Sequence, residues 1–304
     1  MTIMSTNRIP QLEPAGTAVS GAPKRSLGSR IVGRLGGGLV QLFVALVALL
    51  WLVPSLGLLV SSFRPGTASN GWWHAITAPS SLMVGNYAKI FADPTIMGAF
   101  WNSVLITVPS TVLVVVFGAM AAYALAWLEF KGRDWVFVVV VSLTVVPVQV
   151  ALIPDAIIFR YLGMFGHIPA VVAFHTAFGL PFAIFLMRNF FIGIPRDLLE
   201  AARMDGAREL AIFTKVILPV GWPAIASLAI FQFVFVWNDL LVALVFAGPD
   251  SKPITQALAE QMRSFEDNIT IIGPGAFLSM LVPLIVFFSF QRYFVQGILA
   301  GSVK

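Results

Sequence analysis

The sequence predicts an all-α integral membrane protein with six transmembrane helices, because it is poor in charge, rich in long apolar runs and asymmetric in its lysines and arginines. Only 11% of the 304 residues are charged and 58% are hydrophobic, whereas soluble domains carry about 25% charged residues. So little charge cannot cover a surface that faces water. Lipid is therefore the expected solvent and neighbour of most of the chain.

Six stretches are long enough to cross a bilayer core about 30 Å thick, which takes about 20 apolar residues of helix. They are predicted at residues 39–61, 101–127, 135–157, 168–188, 221–247 and 271–293, and are called spans one to six. Prolines inside these spans are tolerated in membranes because neighbouring helices can satisfy the freed carbonyls. They are Pro54, Pro109, Pro147 and Pro283.

The distribution of lysine and arginine predicts the orientation. With the N-terminus inside, the cytoplasmic segments hold fourteen of the 19 basic residues and the external segments hold five. Cytoplasmic loops of membrane proteins carry such an excess of positive charge, so both termini are expected in the cytoplasm. The expected location is the inner or plasma membrane of the cell. Residues 1–36, rich in Gly, Pro, Ser and Thr, are predicted to form a disordered cytoplasmic tail before a membrane domain of residues 37–304.

Composition also argues against several classes of function. The chain has no cysteine and therefore no disulfide, thiolate nucleophile or Cys-ligated metal. The net charge of +5 is spread over short polar segments rather than gathered in a patch, which argues against nucleic acid as a partner. His74, His167 and His175 are scattered, and no carboxylate or second histidine stands at metal-ligand spacing from any of them in the sequence, so neither a metal site nor a catalytic site is expected.

The segment 189–220, between spans four and five, is predicted to fold as a helix–turn–helix on the cytoplasmic side. Pro195 suits the first turn of a helix over 196–204, and Gly206 can adopt the left-handed conformation that ends it. A second helical pattern runs from Ala207 to Ile217, and Pro219 is expected to close it before span five.

Small residues on this segment leave a nearly bare surface on which another protein could pack, with two acidic side chains beside it. This pattern closely resembles the EAA loop of the permease subunits of binding-protein-dependent ABC importers. The residues that carry the resemblance are Glu200, Ala201, Ala202, Asp205, Gly206, Ala207, Phe213 and Pro219. In that family the loop is the coupling helix that docks on the ATPase subunit, so the resemblance implies this role for these residues.

Further short motifs extend the resemblance over roughly residues 40–304, and towards carbohydrate importers in particular. They include Asn86-Tyr87, Asn102-Ser103, Val146-Pro147, Leu162-Gly163, Trp237-Asn238-Asp239 and Arg292-Tyr293-Phe294. Together they look like the second of two permeases in maltose-type systems. One departure is Asp155, which stands where the family usually has an apolar residue, so the outer end of span three is expected to be more polar.

The resemblance implies a transport subunit rather than an enzyme. The chain contains no GxxxxGK[ST] loop for nucleotide phosphates, so ATP and Mg are expected on a partner ATPase. The implied partners are an ATPase dimer, a homologous second permease and an extracytoplasmic solute-binding protein. The implied cargo is a sugar or oligosaccharide of the maltose or α-glucoside type. An ion-coupled secondary transporter and an ABC permease for a non-sugar solute remain the alternatives.

Three polar residues are candidates for the translocation pathway: Asn238, Asp239 and Gln149. An intramembrane carboxylate such as Asp239 is costly and suggests function, but hydrogen bonding to neighbouring helices for structural reasons explains it equally well. For Gln149 and for Gln232, interhelical hydrogen bonds are the stronger explanation.

Overall fold

The chain folds into helices, as the sequence predicts. The computed structural model describes residues 27–64, 71–74, 82–263 and 269–302. The helices are α1 (Leu27–Ser62), α2 (Gly85–Ala92), α3 (Pro94–Trp127), α4 (Arg133–Leu143), α5 (Val148–Tyr161), α6 (Ile168–Phe191), α7 (Arg196–Met204), α8 (Glu209–Trp237), α9 (Leu241–Phe246), α10 (Ile254–Arg263) and α11 (Ile269–Ser302). Within these described residues no strand forms, and an isolated bridge joins Gly166 to Ala247.

Helix α1 begins earlier than the sequence suggests. It starts at Leu27, so residues 27–36 are helical and the boundary predicted at residue 36 falls inside the helix. Residues 1–26 lie outside the described residues, and their disorder stays a prediction. From 38 to 53 the side chains are exposed, including large apolar ones such as Leu50 and Trp51. An apolar surface of this kind suits lipid rather than water.

Five helices are long and apolar enough to cross a membrane, with mean hydropathies between 1.8 and 2.6. They are Gly38–Ser62, Pro94–Trp127, Ile168–Phe191, Glu209–Trp237 and Thr270–Arg292. Helices α4 and α5 pass the same test only as a pair, and they are bent by 100°. The six predicted stretches therefore correspond to five continuous spans and one bent pair in the described part of the chain.

The bend shows that span three was wrong as one continuous helix over 135–157. Helix α4 ends at Leu143 and α5 begins after Pro147, whose φ of −64° and ψ of 135° are extended rather than helical. Proline has no N–H to continue the helix, and its ring disfavours the helical conformation of the residue before it. Pro54, Pro109 and Pro283, by contrast, lie inside helices as expected.

Helix α3 begins at Pro94, seven residues before the start predicted for span two. The Asp93 side chain caps it by accepting the backbone N–H groups of Thr95 and Ile96 at 2.8 and 3.2 Å. Asp at the N-cap followed by Pro at the first helical position is a strong start signal. The chain between the first two predicted spans, residues 62–100, thus contains α2 and the first turns of α3.

The centre of the bundle forms where α3, α6 and α8 approach each other closely at small residues. A Cβ on Gly118 of α3 would lie 2.8 Å from Cβ of Ala183 on α6. A Cβ on Gly179 of α6 would lie 2.8 Å from Val114 on α3 and from the Gln232 amide on α8. Small residues allow helix backbones to pack tightly in membranes, where apolar burial gives little drive to associate.

The end of α1 is fixed by α2. The buried Asn86 donates its amide N–H groups to the carbonyls of Ser62 and Arg64, at 3.1 and 2.7 Å. The hydroxyls of Ser62 and Tyr87 are 2.7 Å apart. Carbonyls at the end of a helix have no partner inside the helix, so these bonds give the Asn86-Tyr87 pair a structural role.

Candidate functional site

Helix α7 has the start and end that the local sequence predicts. Pro195 precedes it in an extended conformation, and its bounds, Arg196–Met204, match the predicted range 196–204. At its end Gly206 has a φ of 78°. The N–H of Ala207 donates to the carbonyl of Ala202 and the N–H of Gly206 to that of Arg203, both at 3.0 Å. This pair of bonds is a Schellman motif, which requires a left-handed residue.

One face of α7 is exposed and the other packs on the bundle. Glu200, Ala201, Asp205 and Gly206 are exposed, whereas Leu199 is fully buried. Ala202 and Ala207 are partly buried, and both pack against the core cluster that contains Leu199. Half of the predicted small-residue surface thus faces outward, and the rest seats the helix–turn–helix on the bundle.

Phe213 and Pro219 lie in α8 rather than on the exposed face of α7. Phe213 is buried, and its ring centroid is 5.2 Å from that of Tyr123 on α3. The prediction that Pro219 closes the second helix was wrong, because α8 continues through it. A π-helical turn at Phe213–Ile217, in which Leu218 N–H bonds to the carbonyl of Phe213, shifts the register just before the proline.

A network of charged and polar side chains joins α7 to the bundle. Arg203 Nε donates to Glu209 Oε1 at 3.1 Å, and the Tyr123 hydroxyl donates to Glu209 Oε2. The hydrogen bond to Glu209 raises the pKa of Arg203 further above its ordinary value. Glu200 pairs separately with Arg196 at 2.9 Å on the exposed side of α7. One carboxylate therefore receives donors from both α3 and α7.

The sequence gives little sign of this network. Arg203 and Glu209 are six residues apart across the turn at Gly206, whereas helical ion pairs are three or four apart. Tyr123 is 86 residues from Glu209 and lies within an apolar span. A tyrosine near the end of a span at the level of a charged loop was the available signal, and tertiary packing was needed to pair it.

An open pocket of about 550 Å³ lies beside the network. It is bounded by α7 on one side and by the end of α3 and the loop after α3 on the other. Its lining residues are Ala126, Trp127, Leu128, Glu129, Arg133, Arg196, Arg203 and Glu209. This open pocket separates α7 from the loop 128–133. Helix α7 therefore reaches the bundle through Leu199, Ala202 and the network rather than through that loop.

The Asn238-Asp239 pair breaks span five, which was predicted as continuous over 221–247. Helix α8 ends at Trp237, and Asn238 turns its amide back to donate to the carbonyl of Val234 at 2.9 Å. The Asp239 carboxylate accepts the N–H groups of Val242 and Ala243, at 3.0 and 3.3 Å, and so caps α9. Side chains that bond the local backbone in this way compete with helix continuation.

The three pathway candidates lie in neighbouring parts of the bundle. Gln149 is exposed in the first turn of α5, Asn238 is exposed at the end of α8, and Asp239 is partly buried. One core cluster packs residues of α5, including Ala151, against residues around the α8 break, including Val236. The same cluster brings the segment after the bend of span three against the segment after the break of span five.

Two further polar residues of the spans have partners inside the bundle. The imidazole of the buried His175 lies with Nε2 3.7 Å from Asp239 Oδ2. The Gln232 amide donates to the carbonyl of His175 at 3.5 Å. The Gln232 contact, which joins α8 to α6, agrees with the interhelical role predicted for Gln232.

Long apolar helices that meet at small residues, with an exposed loop helix built on an EAA-type sequence, define the chain as a membrane permease subunit. A family model described as "Binding-protein-dependent transport system inner membrane component" matches residues 81–300. The chain belongs to this family, so the resemblance seen in the sequence is confirmed. The protein is therefore a component of the inner membrane.

Curated relatives are transport permeases. The "Osmoprotective compounds uptake permease protein GgtD" of Synechocystis sp. is 47% identical over 272 residues, which cover 87% of this chain and 91% of that protein. The "Alpha-glucoside transport system permease protein AglG" of Rhizobium meliloti is 47% identical over 235 residues. That match covers 75% of this chain and 62% of AglG, less than two thirds of its length.

A solved structure shows the same fold. A chain in the crystal structure of a bacterial ABC transporter "involved in the import of the acidic polysaccharide alginate" aligns with a TM-score of 0.70. It is 24% identical and covers 90% of this chain and 100% of that chain. The all-α permease fold predicted from the sequence is confirmed by this likeness.

Proposed function

We propose that this chain is the permease subunit of an ATP-driven importer and forms half of the translocation pathway for a sugar or oligosaccharide. The observation that carries the proposal is the 47% identity to AglG, whose name specifies α-glucosides, within a family of binding-protein-dependent systems. An extracytoplasmic binding protein delivers the sugar, and a homologous second permease supplies the other half of the pathway. A maltose-type or other α-glucoside is the favoured cargo.

The proposed topology has six spans with both termini in the cytoplasm. The bent pair α4–α5 then counts as one span, and the fourteen basic residues of the inner segments face the cytoplasm. In this orientation α7 lies on the cytoplasmic side, where an ATPase could reach it.

The proposed docking element is the exposed face of α7. Glu200, Ala201, Asp205 and Gly206 form a small, ridged and charged surface that suits a cleft on an ATPase subunit. The partly buried Ala202 and Ala207, with the buried Phe213 of α8, hold that face in place from behind. Pro219 is exposed on α8 and belongs to the proposed coupling segment without packing behind α7. ATP and Mg bind on the ATPase dimer, and this chain supplies neither their ligands nor a catalytic group.

The proposed mechanism is two-state gating. Closure of the ATPase dimer on ATP brings the two docked loop helices of the complex together, and the permease halves rotate as rigid bodies to open the pathway outward. The sugar then enters from the binding protein, and hydrolysis resets the inward-facing state. Because the binding protein selects much of the cargo, few specificity residues are expected on this chain.

Uptake by the reconstituted complex tests the cargo and the energy source. Proteoliposomes containing both permeases and the ATPase are expected to accumulate a labelled α-glucoside such as maltose or trehalose only with internal ATP and the binding protein. A protonophore should leave that uptake unchanged. Uptake that persists without ATP and stops with the protonophore would establish the ion-coupled alternative. ATP-dependent uptake of a labelled non-sugar osmolyte, with no uptake of any α-glucoside, would establish the non-sugar importer.

We further propose that Asp239, with Asn238 and Gln149, lines the pathway, and a pair of substitutions separates this role from capping. Asp239→Ala removes the cap of α9 and is expected to lower the free energy of unfolding by about 0.5–2 kcal/mol. Asp239→Asn keeps a capping oxygen, so its melting temperature should stay near that of the unmutated protein while its maximal uptake rate falls. If the Asp239→Asn variant transports at the full rate, the carboxylate serves only to cap α9 and has no role in the pathway.

A further inference from the structure

Helix α7 is held on the bundle by few contacts. Of its nine residues Leu199 alone is buried, and it packs into the core cluster shared with α3, α6 and α8. Ala202 adds a partly buried contact. A helix with one buried side chain needs a second, directional contact to fix its orientation, because apolar packing is not directional.

The Arg203–Glu209–Tyr123 network supplies that direction. Arg203 extends from the last turn of α7, Glu209 begins α8, and Tyr123 lies near the end of α3. Both donors converge on one carboxylate, so the orientation of α7 is tied to two different helices of the bundle. Arginine and tyrosine donors to a carboxylate make short, directional hydrogen bonds, which suits a positioning role.

The ion pair of the network, between Arg203 and Glu209, contributes little to stability by itself. The side chains of Arg203 and Glu209 are 37% and 44% exposed, and ion pairs with such exposure contribute at most about 1 kcal/mol. Its removal should therefore leave the protein folded. This makes a role in movement separable from a role in folding.

Helix α3 connects the network with the far end of the bundle. Twenty residues before Tyr123, the Ser103 hydroxyl accepts the N–H of Ile254 at 2.8 Å and holds the start of α10. Beside it, Asn102 donates to the carbonyls of Asp250 and Lys252, at 2.9 and 3.1 Å. At 1.5 Å per residue these two contact points are about 30 Å apart along one helix.

We propose that Glu209 is a positioning residue that, through Arg203 and Tyr123, passes the movement of α7 to α3 and so to the far end of the bundle. The proposal rests on the proposed function, because α7 moves only if an ATPase docks there. The open pocket of about 550 Å³ beside the network gives α7 room to tilt. When the network is intact, a tilt of α7 also moves α3. When the network is broken, the loop around Gly206 changes conformation and α3 stays in place.

Tyr123→Phe is the sharpest test. It removes the hydroxyl alone, keeps the ring against Phe213, and changes a buried residue that a docked partner cannot touch. The variant should retain its melting temperature and its bound ATPase. Hydrolysis stimulated by the loaded binding protein, and substrate carried per ATP, should each fall about fivefold, a usual size for a coupling between sites.

A double-mutant cycle and a matched control complete the experiment. Arg203→Gln should show a similar loss, and the double variant should lose no more than the worse single one, because both act through one carboxylate. Asp134→Asn, which removes the exposed ion pair with Arg133, should behave as the unmutated complex does.

Each other outcome contradicts the proposal in a recognisable way. If Tyr123→Phe loses the ATPase, the network holds the docking surface rather than transmitting movement. If stimulated hydrolysis and transport are unchanged, or the losses simply multiply in the double variant, Glu209 is not a shared link. If the unmutated complex neither binds an ATPase nor hydrolyses ATP on stimulation, the proposed function itself fails, and this inference with it.

Discussion

Gly206→Pro is expected to abolish binding of the ATPase subunit and the hydrolysis stimulated by the binding protein. Gly206 has a φ of 78° and donates its N–H to the carbonyl of Arg203 at 3.0 Å. Proline fixes φ near −65° and has no N–H, so both features of the turn are lost. The end of α7 should unwind, together with the exposed face that includes Ala201 and Asp205. A pull-down of the solubilised complex, followed by the hydrolysis assay, measures both effects.

Two milder substitutions at Gly206 serve as controls. A Cβ at this position meets no atom within 4 Å, so the effect of Gly206→Ala comes from backbone strain alone. That strain is about 1–2 kcal/mol for a left-handed residue, whereas Asn tolerates this conformation. We expect binding of the ATPase to decrease in the order Gly, Asn, Ala, Pro. A proline variant that inserts normally and still binds the ATPase would disprove the docking assignment.

Gly118→Leu is expected to prevent stable folding of the bundle. The first added atom would already lie 2.8 Å from Cβ of Ala183, and backbone atoms of the same residue lie directly behind it. Neither α3 nor α6 can move away without opening the core around Val114 and Met187. The expected cost is about 3 kcal/mol or more, the upper part of the range for overpacked cores. Fluorescence-detected size exclusion and the yield of folded protein in membranes measure this loss.

Gly98→Leu is the matched control on the same helix. Gly98 is exposed, and a Cβ there would meet no atom within 4 Å. Both variants add the same side chain to α3, so a change in helix propensity or hydrophobicity affects them alike. A folded Gly118→Leu protein with an unchanged melting temperature would show that α3 and α6 are not packed as closely as described.

The local conformation of the loop segment was predictable because its determinants are local. Pro195 before the helix and Gly206 after it act on their own backbone, and α7 begins and ends where they indicate. The length of an apolar run is likewise set by the bilayer, which explains why four of the five continuous spans appear near their predicted positions. The start of α3 is also indicated by local residues, Asp93 and Pro94. The prediction of span two rested on apolar composition alone and placed this start too late in the chain.

The two breaks in the spans were harder to predict, because apolar composition is the same on both sides of each break. Pro147 lies between two helices at a break, whereas Pro54 and Pro109 remain inside theirs. Asn238 and Asp239 could have bonded to other helices alone, but both bond to the backbone beside them. The Asp239 carboxylate also lies 3.7 Å from His175 of α6. Which alternative wins depends on the partners that the surrounding bundle offers.

Composition and contacts between near neighbours in the chain were enough to predict the lipid solvent, most of the apolar spans and the shape of α7, and the motifs were enough to predict the family. Tertiary packing was needed to bring Tyr123 and Arg203 to the Glu209 carboxylate, and to place Gly118 against Ala183. These pairs lie on different helices. Their meeting depends on how the helices pack side by side, and a pattern along one helix carries no record of that.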